Sequence, residues 1–285
     1  MKKEYSRWPD FYIVGTPRGG TTYLYSILKS HPEICLPREK ELKFFSLLAN
    51  SQSSVSEKNK REYLQHFGNP AQEIYIGETS PDNLHTKGAA ALIKSINDKA
   101  KIIISLRDPI ERLISHILMV KRNEGVETSV ESFVSSTLEK NNHFMLKQGL
   151  YTEHVQRYLS TFGANNVHII VFEEWIQEPL NTINEILKFI GTKTQMVKLP
   201  EKEKNGALVH KNALSKFLLS NGFLKRTSRS LLTTETRLKI KRRFLKEAII
   251  PTLGPETIEK LHQFYKSDVD RLQGVLGRKL PWKYF

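Results

Sequence analysis

The sequence predicts an α/β fold, a central parallel sheet flanked by helices, and two observations support this prediction. First, residues 11–15, 101–106 and 167–172 are short apolar runs without polar alternation, which is typical of strands buried on both faces. A weaker run covers 73–77. Second, helical patterns lie between these runs, at 22–30, 86–97, 109–122, 130–139, 151–162 and 180–190. Strands that alternate with helices form parallel sheets.

The rest of the chain is predicted to extend this domain and not to add a second one. We expect a single domain over residues 1–285, with its core at about 8–192. Residues 49–61 are polar and rich in Ser and Lys, which predicts a flexible segment. Residues 193–212 are predicted as loop, and residues 213–285 as a C-terminal extension of helices rich in Lys and Arg.

Charge and cysteine content limit the possible functions. The chain has 44 Lys+Arg against 30 Asp+Glu, a net charge of +14. This excess fits either a polyanionic partner or simply a basic surface. The single cysteine, Cys35, excludes an internal disulfide framework and argues against a Cys-based metal site. No apolar run is as long as a signal peptide or a bilayer span, so we expect a cytoplasmic protein without a membrane span.

A glycine-rich turn follows the first strand. Residues 16–22, Thr-Pro-Arg-Gly-Gly-Thr-Thr, run from that strand into a helix, which directs backbone N–H groups and the positive end of a helix dipole at one spot. The spacing nearly fits a P-loop that starts at Gly15, but Thr21 stands where the lysine is required, and the basic residue is Arg18. The predicted phosphate ligands are Arg18, Gly19, Gly20, Thr21 and Thr22.

A second anion site is predicted after the strand at 101–106. Arg107 follows that strand at its carboxyl end, where open α/β sheets bind ligands. Pro109 suits the first turn of a helix, and Ser115 lies two turns along it. We expect Arg107 and Ser115 to bind an anion, and Asp108 and Arg112 to make structural contacts.

Together the two motifs resemble those of the sulfotransferases that use 3'-phosphoadenosine-5'-phosphosulfate (PAPS), particularly the heparan sulfate and bacterial enzymes. The resemblance covers about residues 11–190. It implies that the first loop binds the 5'-phosphosulfate, that Arg107 and Ser115 bind the 3'-phosphate, and that no metal takes part. The family often carries Lys where Arg18 stands, in contact with the bridging oxygen of the donor, which implies a catalytic role for Arg18 at the leaving group.

A candidate general base lies between the two donor motifs. Residues 40–45, Lys-Glu-Leu-Lys-Phe-Phe, resemble the family segment Lys-Glu-Pro-His-Phe-Phe, in which the Glu is the base. The resemblance implies that Glu41 takes the acceptor proton and that Lys43 replaces the family's His. The alternative is a surface charge cluster over 38–43, in which case His116 or His85 is the next candidate base.

The acceptor side carries weaker signals. Residues 77–81, Gly-Glu-Thr-Ser-Pro, resemble the family's Glu-Lys-Thr-Pro loop beside the acceptor, but Thr79 stands at the position of the family's Lys and Asn83 at that of its Tyr. These changes argue against a heparan-like acceptor. The residues predicted to bind substrate are Lys43, Glu78, Thr79, Ser80 and His85.

Two further segments match the family loosely. Tyr151 begins a helix that borders donor and acceptor in the family, and Lys204, Asn205 and Lys211 fall where family members fold a loop over the adenosine phosphate. The resemblance implies that these four residues bind the donor. The basic run over 225–246 has two interpretations, a solvated helix face or a dock for an anionic acceptor.

These observations predict an enzyme that transfers a sulfuryl group from PAPS to a hydroxyl or amine of a small-molecule or glycan acceptor and releases 3',5'-ADP. A P-loop nucleotide kinase or NTPase is one alternative, against which the missing lysine argues. A basic nucleic-acid-binding protein is the other. It would need a recognised module or aromatic residues interleaved with the basic ones, and the sequence shows neither, so no nucleic-acid partner is expected.

Overall fold

The computed structural model describes residues 7–68, 70, 74–124, 128–139, 144–196, 199, 208–210, 245–247 and 253–285. The chain divides into two compact units. The first comprises Met1–Arg112, Gln148–Lys202 and His262–Phe285, and the second comprises Leu113–Lys147 and Glu203–Leu261. A single domain over 1–285 stays a prediction.

A parallel five-stranded sheet forms the centre of the first unit. Its strands are β1 (Phe11–Gly15), β2 (Ile34–Cys35), β3 (Tyr75–Thr79), β4 (Lys101–Leu106) and β5 (Val167–Val171). They are arranged in the order β2-β3-β1-β4-β5. The predicted α/β class is therefore confirmed, and β1 and β4 have the predicted bounds. Strand β3 begins two residues later than predicted, and the two-residue β2 was not predicted.

The helices include the six predicted between residues 22 and 190, which match to within a few residues at their ends, and four that the sequence did not predict, at 44–50, 57–64, 144–147 and 172–175. They are α1 (Thr21–Lys29), α2 (Phe44–Asn50), α3 (Glu57–Leu64), α4 (Ala89–Ile96), α5 (Pro109–Glu124), α6 (Val130–Glu139), α7 (Phe144–Lys147), α8 (Thr152–Phe162), α9 (Phe172–Trp175), α10 (Pro179–Ile190) and α11 (Pro255–Leu276). None of the helices in the described ranges is both long and apolar enough to cross a bilayer.

The strand order reverses beside β1. From β1 the chain builds one side of the sheet with β2 and β3, then returns to the other side of β1 with β4 and β5. In open α/β sheets, ligands bind in the crevice outside the carboxyl ends of the strands at such a reversal. The ends of β1 and β4 are therefore the expected ligand site.

The core of the first unit packs helices against the sheet. All five residues of β1 are buried, and α10 buries a stripe at the i, i+3, i+4, i+7 spacing of an amphipathic helix. This packing holds β1, and hence the loop that follows it, in a fixed position. The cluster includes Phe11, Ile13, Leu24, Ile27, Leu28, Ile103, Ile183, Ile186, Leu187 and Ile190.

The prediction of a flexible segment over 49–61 is wrong for its first and last residues, because α2 extends to residue 50 and α3 begins at residue 57. The Ser56 side chain accepts the Asn59 N–H (3.3 Å), and the Asn59 side chain accepts the Ser56 N–H (2.8 Å), which forms a capping box. The helix then buries Tyr63 and Leu64. The polar composition of α3 gave no indication that these two side chains anchor it in the core.

Two predictions for the later part of the chain are also corrected. Residues Leu208–His210 and Leu245–Glu247 form an antiparallel strand pair, β6 and β7, where the sequence predicted loop and helix. More than thirty residues separate the two strands in sequence, so local patterns could not reveal the pairing. Helix α11 confirms the predicted C-terminal helix, whereas the other residues of 213–252 lie outside the described residues.

Candidate active site

The loop after β1 is tied to the neighbouring strand β4. The Thr16 N–H donates to the Ser105 carbonyl (2.8 Å), and the Ser105 hydroxyl donates to the Gly19 carbonyl (2.5 Å). A Cβ atom added to Gly19 would lie 2.6 Å from the Ser105 carbonyl oxygen, so this close approach requires glycine. The loop therefore lies directly at the carboxyl end of β4.

The start of α1 has the features of an anion site. Gly20 caps the helix in the left-handed region (φ 82°), and the first turn contains no acidic residue. The first amides of a helix have no intrahelical acceptor, and the helix dipole is positive there. Thr22 is exposed at this end and can donate its hydroxyl, whereas Thr21 is buried.

Arg18 connects the loop to the second predicted anion motif. It is half-buried with a positive φ of 72°, and its carbonyl accepts a hydrogen bond from Nη1 of Arg107 (3.3 Å). The structure thus brings together two basic residues that are 89 positions apart in sequence.

Arg107, directly after β4, is positioned on several sides. Its guanidinium lies over the Phe172 ring (4.6 Å from Cζ to the centroid), and its Nη2 is 3.4 Å from the Glu111 carboxylate. Its Nε is buried and has no hydrogen-bond partner among the described residues. A buried donor without a partner is unfavourable by about 1–3 kcal/mol, and an anion bound at this position would remove that penalty.

Tyr151, predicted to bind the donor, lies against Arg107. Its hydroxyl donates to the Arg107 carbonyl (2.8 Å), and its N–H donates to the Asp268 carboxylate (2.6 Å). The side chain is fully buried, which raises the pKa of the Tyr151 hydroxyl and keeps it protonated. These hydrogen bonds hold the backbone at Arg107 in place. Contact between Tyr151 and the donor stays a prediction.

Asp108 makes the structural contacts that the sequence predicted. One carboxylate oxygen accepts the N–H groups of Ile110 (2.9 Å) and Glu111 (3.2 Å), which caps the start of α5. The Asp108 N–H donates to the Glu173 carboxylate (3.0 Å), whose other oxygen accepts the indole N–H of Trp282 (3.1 Å). These bonds fix the backbone on the C-terminal side of Arg107.

The candidate base Glu41 lies in a segment held by the end of β3. The Glu41 N–H donates to the Thr79 carbonyl (2.9 Å), and the Lys43 N–H donates to the Ser80 hydroxyl (3.0 Å). Both Glu41 (φ 68°) and Lys43 (φ 57°) are in the left-handed region, which is unfavourable by about 1–2 kcal/mol for each residue. The Glu41 side chain is 42% exposed and forms an ion pair with Lys40.

The aromatic residues that follow anchor this segment. Phe45 is fully buried and contacts Tyr12 of β1 edge to face, with ring centroids 5.5 Å apart. Phe44 packs against Tyr63 of α3, with centroids 4.4 Å apart. The Glu41 carboxylate is therefore exposed, on a segment whose following residues are anchored in the core.

Glu78, Thr79 and Ser80, predicted to bind substrate, are all buried. Glu78 is only 1% exposed, and its carboxylate accepts a hydrogen bond from the Ser80 hydroxyl. Burial raises the pKa of Glu78 to about 7, while the Ser80 hydrogen bond and the charge of Lys40 oppose that rise. The burial of these residues favours a role in holding residues 41–43 over direct substrate contact.

Lys43 and His85 complete the predicted acceptor side. Lys43 pairs with Asp82 (2.8 Å) and is about half exposed, so it can reach an acceptor. His85 lies against the donor loop, with its Nε2 3.1 Å from the Thr16 hydroxyl. Its ring contacts that of His154 edge to face, with centroids 4.9 Å apart. His85 is thus placed beside the loop, and its contact with substrate stays a prediction.

The remaining predicted residues belong to the second unit or lie outside the described residues. Ser115 and His116 belong to the second unit, where the His116 ring contacts Phe144 (5.9 Å between centroids). Lys204, Asn205 and Lys211 lie outside the described residues. Roles for all five stay predictions.

Sequence reasoning missed three contributors to the site. Ser105 ties the loop to β4, Phe172 stacks on Arg107, and Lys40 pairs with Glu41. The sequence did contain an indication for Ser105, since it is the one polar residue within the apolar part of β4. Phe172 had none, because its contact with Arg107 depends on which segments are neighbours in space, whereas Lys40 directly precedes Glu41 in the sequence.

Comparison with known proteins gives a consistent family. Residues 8–273 match the sulfotransferase domain family. Heparan sulfate glucosamine 3-O-sulfotransferase 5 of Mus musculus is 25% identical over 283 residues, which cover 96% of this chain and 74% of that protein. Bifunctional heparan sulfate N-deacetylase/N-sulfotransferase 4 of Mus musculus is 27% identical over 202 residues, 64% of this chain and 22% of that protein.

Solved structures share the fold. A sulfotransferase from Alicyclobacillus acidocaldarius aligns with a TM-score of 0.69 at 24% identity, covering 96% of this chain and 98% of that one. Mouse sulfotransferase SULT7A1, complexed with PAP, aligns with a TM-score of 0.53 at 16% identity, covering 93% and 86%. At these identities the likeness concerns the architecture.

Proposed function

This chain belongs to the sulfotransferase domain family, and on that premise we propose which of its residues transfer a sulfuryl group from PAPS to an acceptor hydroxyl or amine. The loop with Arg18, Gly19, Gly20 and Thr22 holds the 5'-phosphosulfate, and Arg107 holds the 3'-phosphate. Glu41 removes the acceptor proton. Family membership also decides against a nucleotide kinase and a nucleic-acid-binding protein as the primary function.

One observation carries the donor assignment. The Arg107 guanidinium donates to the Arg18 carbonyl over 3.3 Å, which joins two cationic anion-binding motifs at the ends of the adjacent parallel strands β1 and β4. PAPS has two separate anionic groups on one nucleoside, so it needs two such motifs side by side. The buried Nε of Arg107, which has no partner among the described residues, supports a phosphate at that position.

The chemistry follows from these positions. Glu41 takes a proton from the acceptor as the acceptor oxygen or nitrogen attacks sulfur in line, while the bond between sulfur and the bridging oxygen breaks. The electron pair stays on the departing 3',5'-ADP. Arg18 and the positive end of α1 stabilise the charge that develops there. Arg18 keeps its proton throughout, because a guanidinium does not deprotonate in proteins.

The acceptor is a hydroxyl or amine of a glycan or a small molecule. Two relatives are named as heparan sulfate enzymes, which supports a glycan. The acceptor side of this chain departs from the family pattern at Lys43 and Thr79, which supports a different acceptor within these classes. Assays with radiolabelled PAPS and a panel of 4-nitrophenol, glucosamine and desulfated heparan sulfate oligosaccharides will identify the class.

The donor assignment is tested by comparing nucleotides on the wild type and the Arg107→Ala variant. We expect 3',5'-ADP to stabilise the wild type without metal, by about 2.7 kcal/mol at 100 times its dissociation constant, and 5'-AMP to stabilise it much less. Arg107→Ala should remove this preference, because the contact with the 3'-phosphate is worth about 1.5–3 kcal/mol. Calorimetric titration measures the affinity of the wild type and of the Arg107→Ala variant for the two nucleotides. Equal affinity of the wild type for 3',5'-ADP and 5'-AMP would contradict the assignment.

We also propose a reducing, cytoplasmic location. The single cysteine supports it, since Cys35 is a free thiol whose Sγ donates to the Phe67 carbonyl (3.2 Å). Fractionation of cells that make the full chain tests this proposal, and recovery in the membrane or secreted fraction would contradict it.

A further inference from the structure

Glu78 is a carboxylic acid in the interior of the sheet. It lies near the end of β3, opposite Tyr12 in the register of β1, and its side chain is 1% exposed. One carboxylate oxygen accepts the Ser80 hydroxyl hydrogen, and the other is buried without a hydrogen-bond partner among the described residues. Acidic side chains are almost never fully buried unless paired, so this one requires an explanation.

The hydrogen bonds of Glu78 lead through Ser80 to the backbone of Lys43, two residues after the candidate base, and the end of β3 also holds Glu41 itself. Ser80 donates to Glu78 and accepts the Lys43 N–H (3.0 Å), and the intervening residue Thr79 accepts the Glu41 N–H (2.9 Å). Residues 41 and 43 both have a positive φ, a backbone conformation that persists only when surrounding contacts enforce it. The end of β3 supplies those contacts.

We propose that Glu78 is a positioning residue for Glu41: through Ser80 it holds the left-handed backbone of residues 41–43 and so fixes where the Glu41 carboxylate meets the acceptor. This inference rests on the proposed role of Glu41 as base. Glu78 itself touches neither donor nor acceptor, because it is buried. A loss of its hydrogen bond leaves the donor loop intact and displaces only the base.

The charge state of Glu78 makes this support dependent on pH. Burial is the largest cause that raises the pKa of Glu78 to about 7; the negative charge of Glu41 adds to the rise, and Ser80 and Lys40 oppose it. The other titratable groups near Glu78 are the buried tyrosines of β1, α3 and α8, which stay neutral because their pKa values are raised: Tyr12, Tyr63 and Tyr158.

The sign of the pH effect follows from these neighbours. Below pH 7 Glu78 is neutral, and its hydrogen bond with Ser80 is retained. As the pH rises through about 7, a buried negative charge forms close to Glu41, with one oxygen unpaired. The charged carboxylate accepts the Ser80 hydrogen bond more strongly than the neutral acid does, so the support of residues 41–43, and with it the turnover number, is expected to rise as the pH passes through about 7.

The test compares Glu78→Ala, Ser80→Ala and Glu78→Gln, with Tyr63→Phe as a matched control. The control removes a buried hydroxyl beside Glu78 that has no partner among the described residues and leaves the Glu78–Ser80 bond in place. Turnover is measured with PAPS and the most active acceptor of the panel named above. We expect Glu78→Ala and Ser80→Ala to lower kcat about tenfold to a hundredfold, a loss typical of a misplaced catalytic group, with unchanged affinity for 3',5'-ADP.

Two readouts separate positioning from general support of the fold. Glu78→Gln accepts the Ser80 hydrogen bond but cannot ionise, so it should keep nearly the kcat that the wild type has below pH 7 and lose the rise of kcat through about pH 7. Hydrogen exchange at the Lys43 amide needs no acceptor. It should accelerate in Ser80→Ala and Glu78→Ala and stay at the wild-type rate in Glu78→Gln and Tyr63→Phe.

A variant in the Glu41→Gln background links the two roles. If Glu78 acts only through Glu41, the double variant Glu41→Gln/Glu78→Ala is no slower than Glu41→Gln alone. A full additional loss overturns the proposal, as does a rise of kcat through about pH 7 that persists in Glu78→Gln. If Glu41→Gln keeps wild-type turnover, the base assignment itself fails. If Glu41→Gln is slow while Ser80→Ala and Glu78→Ala turn over normally, only the positioning role fails. Ser80→Ala and Glu78→Gln carry the test if Glu78→Ala does not fold.

Discussion

Gly20, the N-cap of α1, is the position where the donor loop tolerates a substitution least. Its φ of 82° places it in the left-handed region. A Cβ atom added there would lie 2.5 Å from the Trp175 ring and 2.8 Å from the Phe172 ring. Trp175 is buried and cannot move aside, so a Gly20→Ala substitution must shift the loop.

The magnitude follows from two separable contributions. An alanine in the left-handed conformation is unfavourable by about 1–2 kcal/mol. Overpacking against the two rings adds about 1–3 kcal/mol. Gly88 provides a matched control, since it is also a left-handed N-cap glycine (φ 96°), but its added Cβ would meet only Ala49, at an ordinary 3.4 Å. Gly88→Ala should therefore show the conformational contribution alone.

Urea unfolding of the two variants measures the difference. Gly20→Ala should lower the free energy of unfolding by about 2–5 kcal/mol and Gly88→Ala by about 1–2 kcal/mol. Because the displaced loop is the proposed phosphosulfate site, Gly20→Ala should also weaken 3',5'-ADP binding about tenfold, which is 1.4 kcal/mol. Equal losses of stability in the two variants, or unchanged nucleotide affinity in Gly20→Ala, would refute the claim that a methyl group at position 20 overpacks against the two rings and shifts the loop.

Two further predictions concern the chemical step. Arg18→Ala should lower kcat about 10²–10³-fold and change the affinity for 3',5'-ADP much less, because Arg18 stabilises charge that appears only as the S–O bond breaks; steady-state kinetics with normal kcat and a raised KM for PAPS would show a binding role instead. Glu41→Gln should lower kcat about 10²–10⁴-fold, with 3',5'-ADP affinity unchanged. A variant that retains more than about a tenth of wild-type turnover would exclude Glu41 as the base.

The predictable parts of the fold are those specified by local sequence. Strands β1 and β4 are continuous apolar runs, and both were predicted residue for residue. Strand β2 has two residues, too few for any periodicity. Helix α3 was missed because its polar composition resembles that of a loop, although its capping box was present in the sequence. Strands β6 and β7 depend on a pairing between distant segments.

The donor half of the site was more predictable than the acceptor half for the same physical reason. Loop 16–22 directly follows β1, and Arg107 directly follows β4. Parallel strands bring their carboxyl ends to one edge of the sheet. The sequence could not show that Ser105 ties them together or that Arg107 stacks on Phe172. Those contacts depend on β4 lying between β1 and β5.

In the acceptor half of the site the backbone is held in place, whereas the side chains of two residues are exposed. The backbone of residues 41–43 is held by Thr79 and Ser80, which are buried at the end of β3. The side chains of Glu41 and Lys43 are 42% and 48% exposed. Exposed side chains on a rigid backbone can change with the acceptor while the base keeps its place. The segment resembles its family at Glu41 and at the two phenylalanines that anchor it, and it departs from the family at Leu42 and at the exposed position 43, the candidate position for recognising the acceptor.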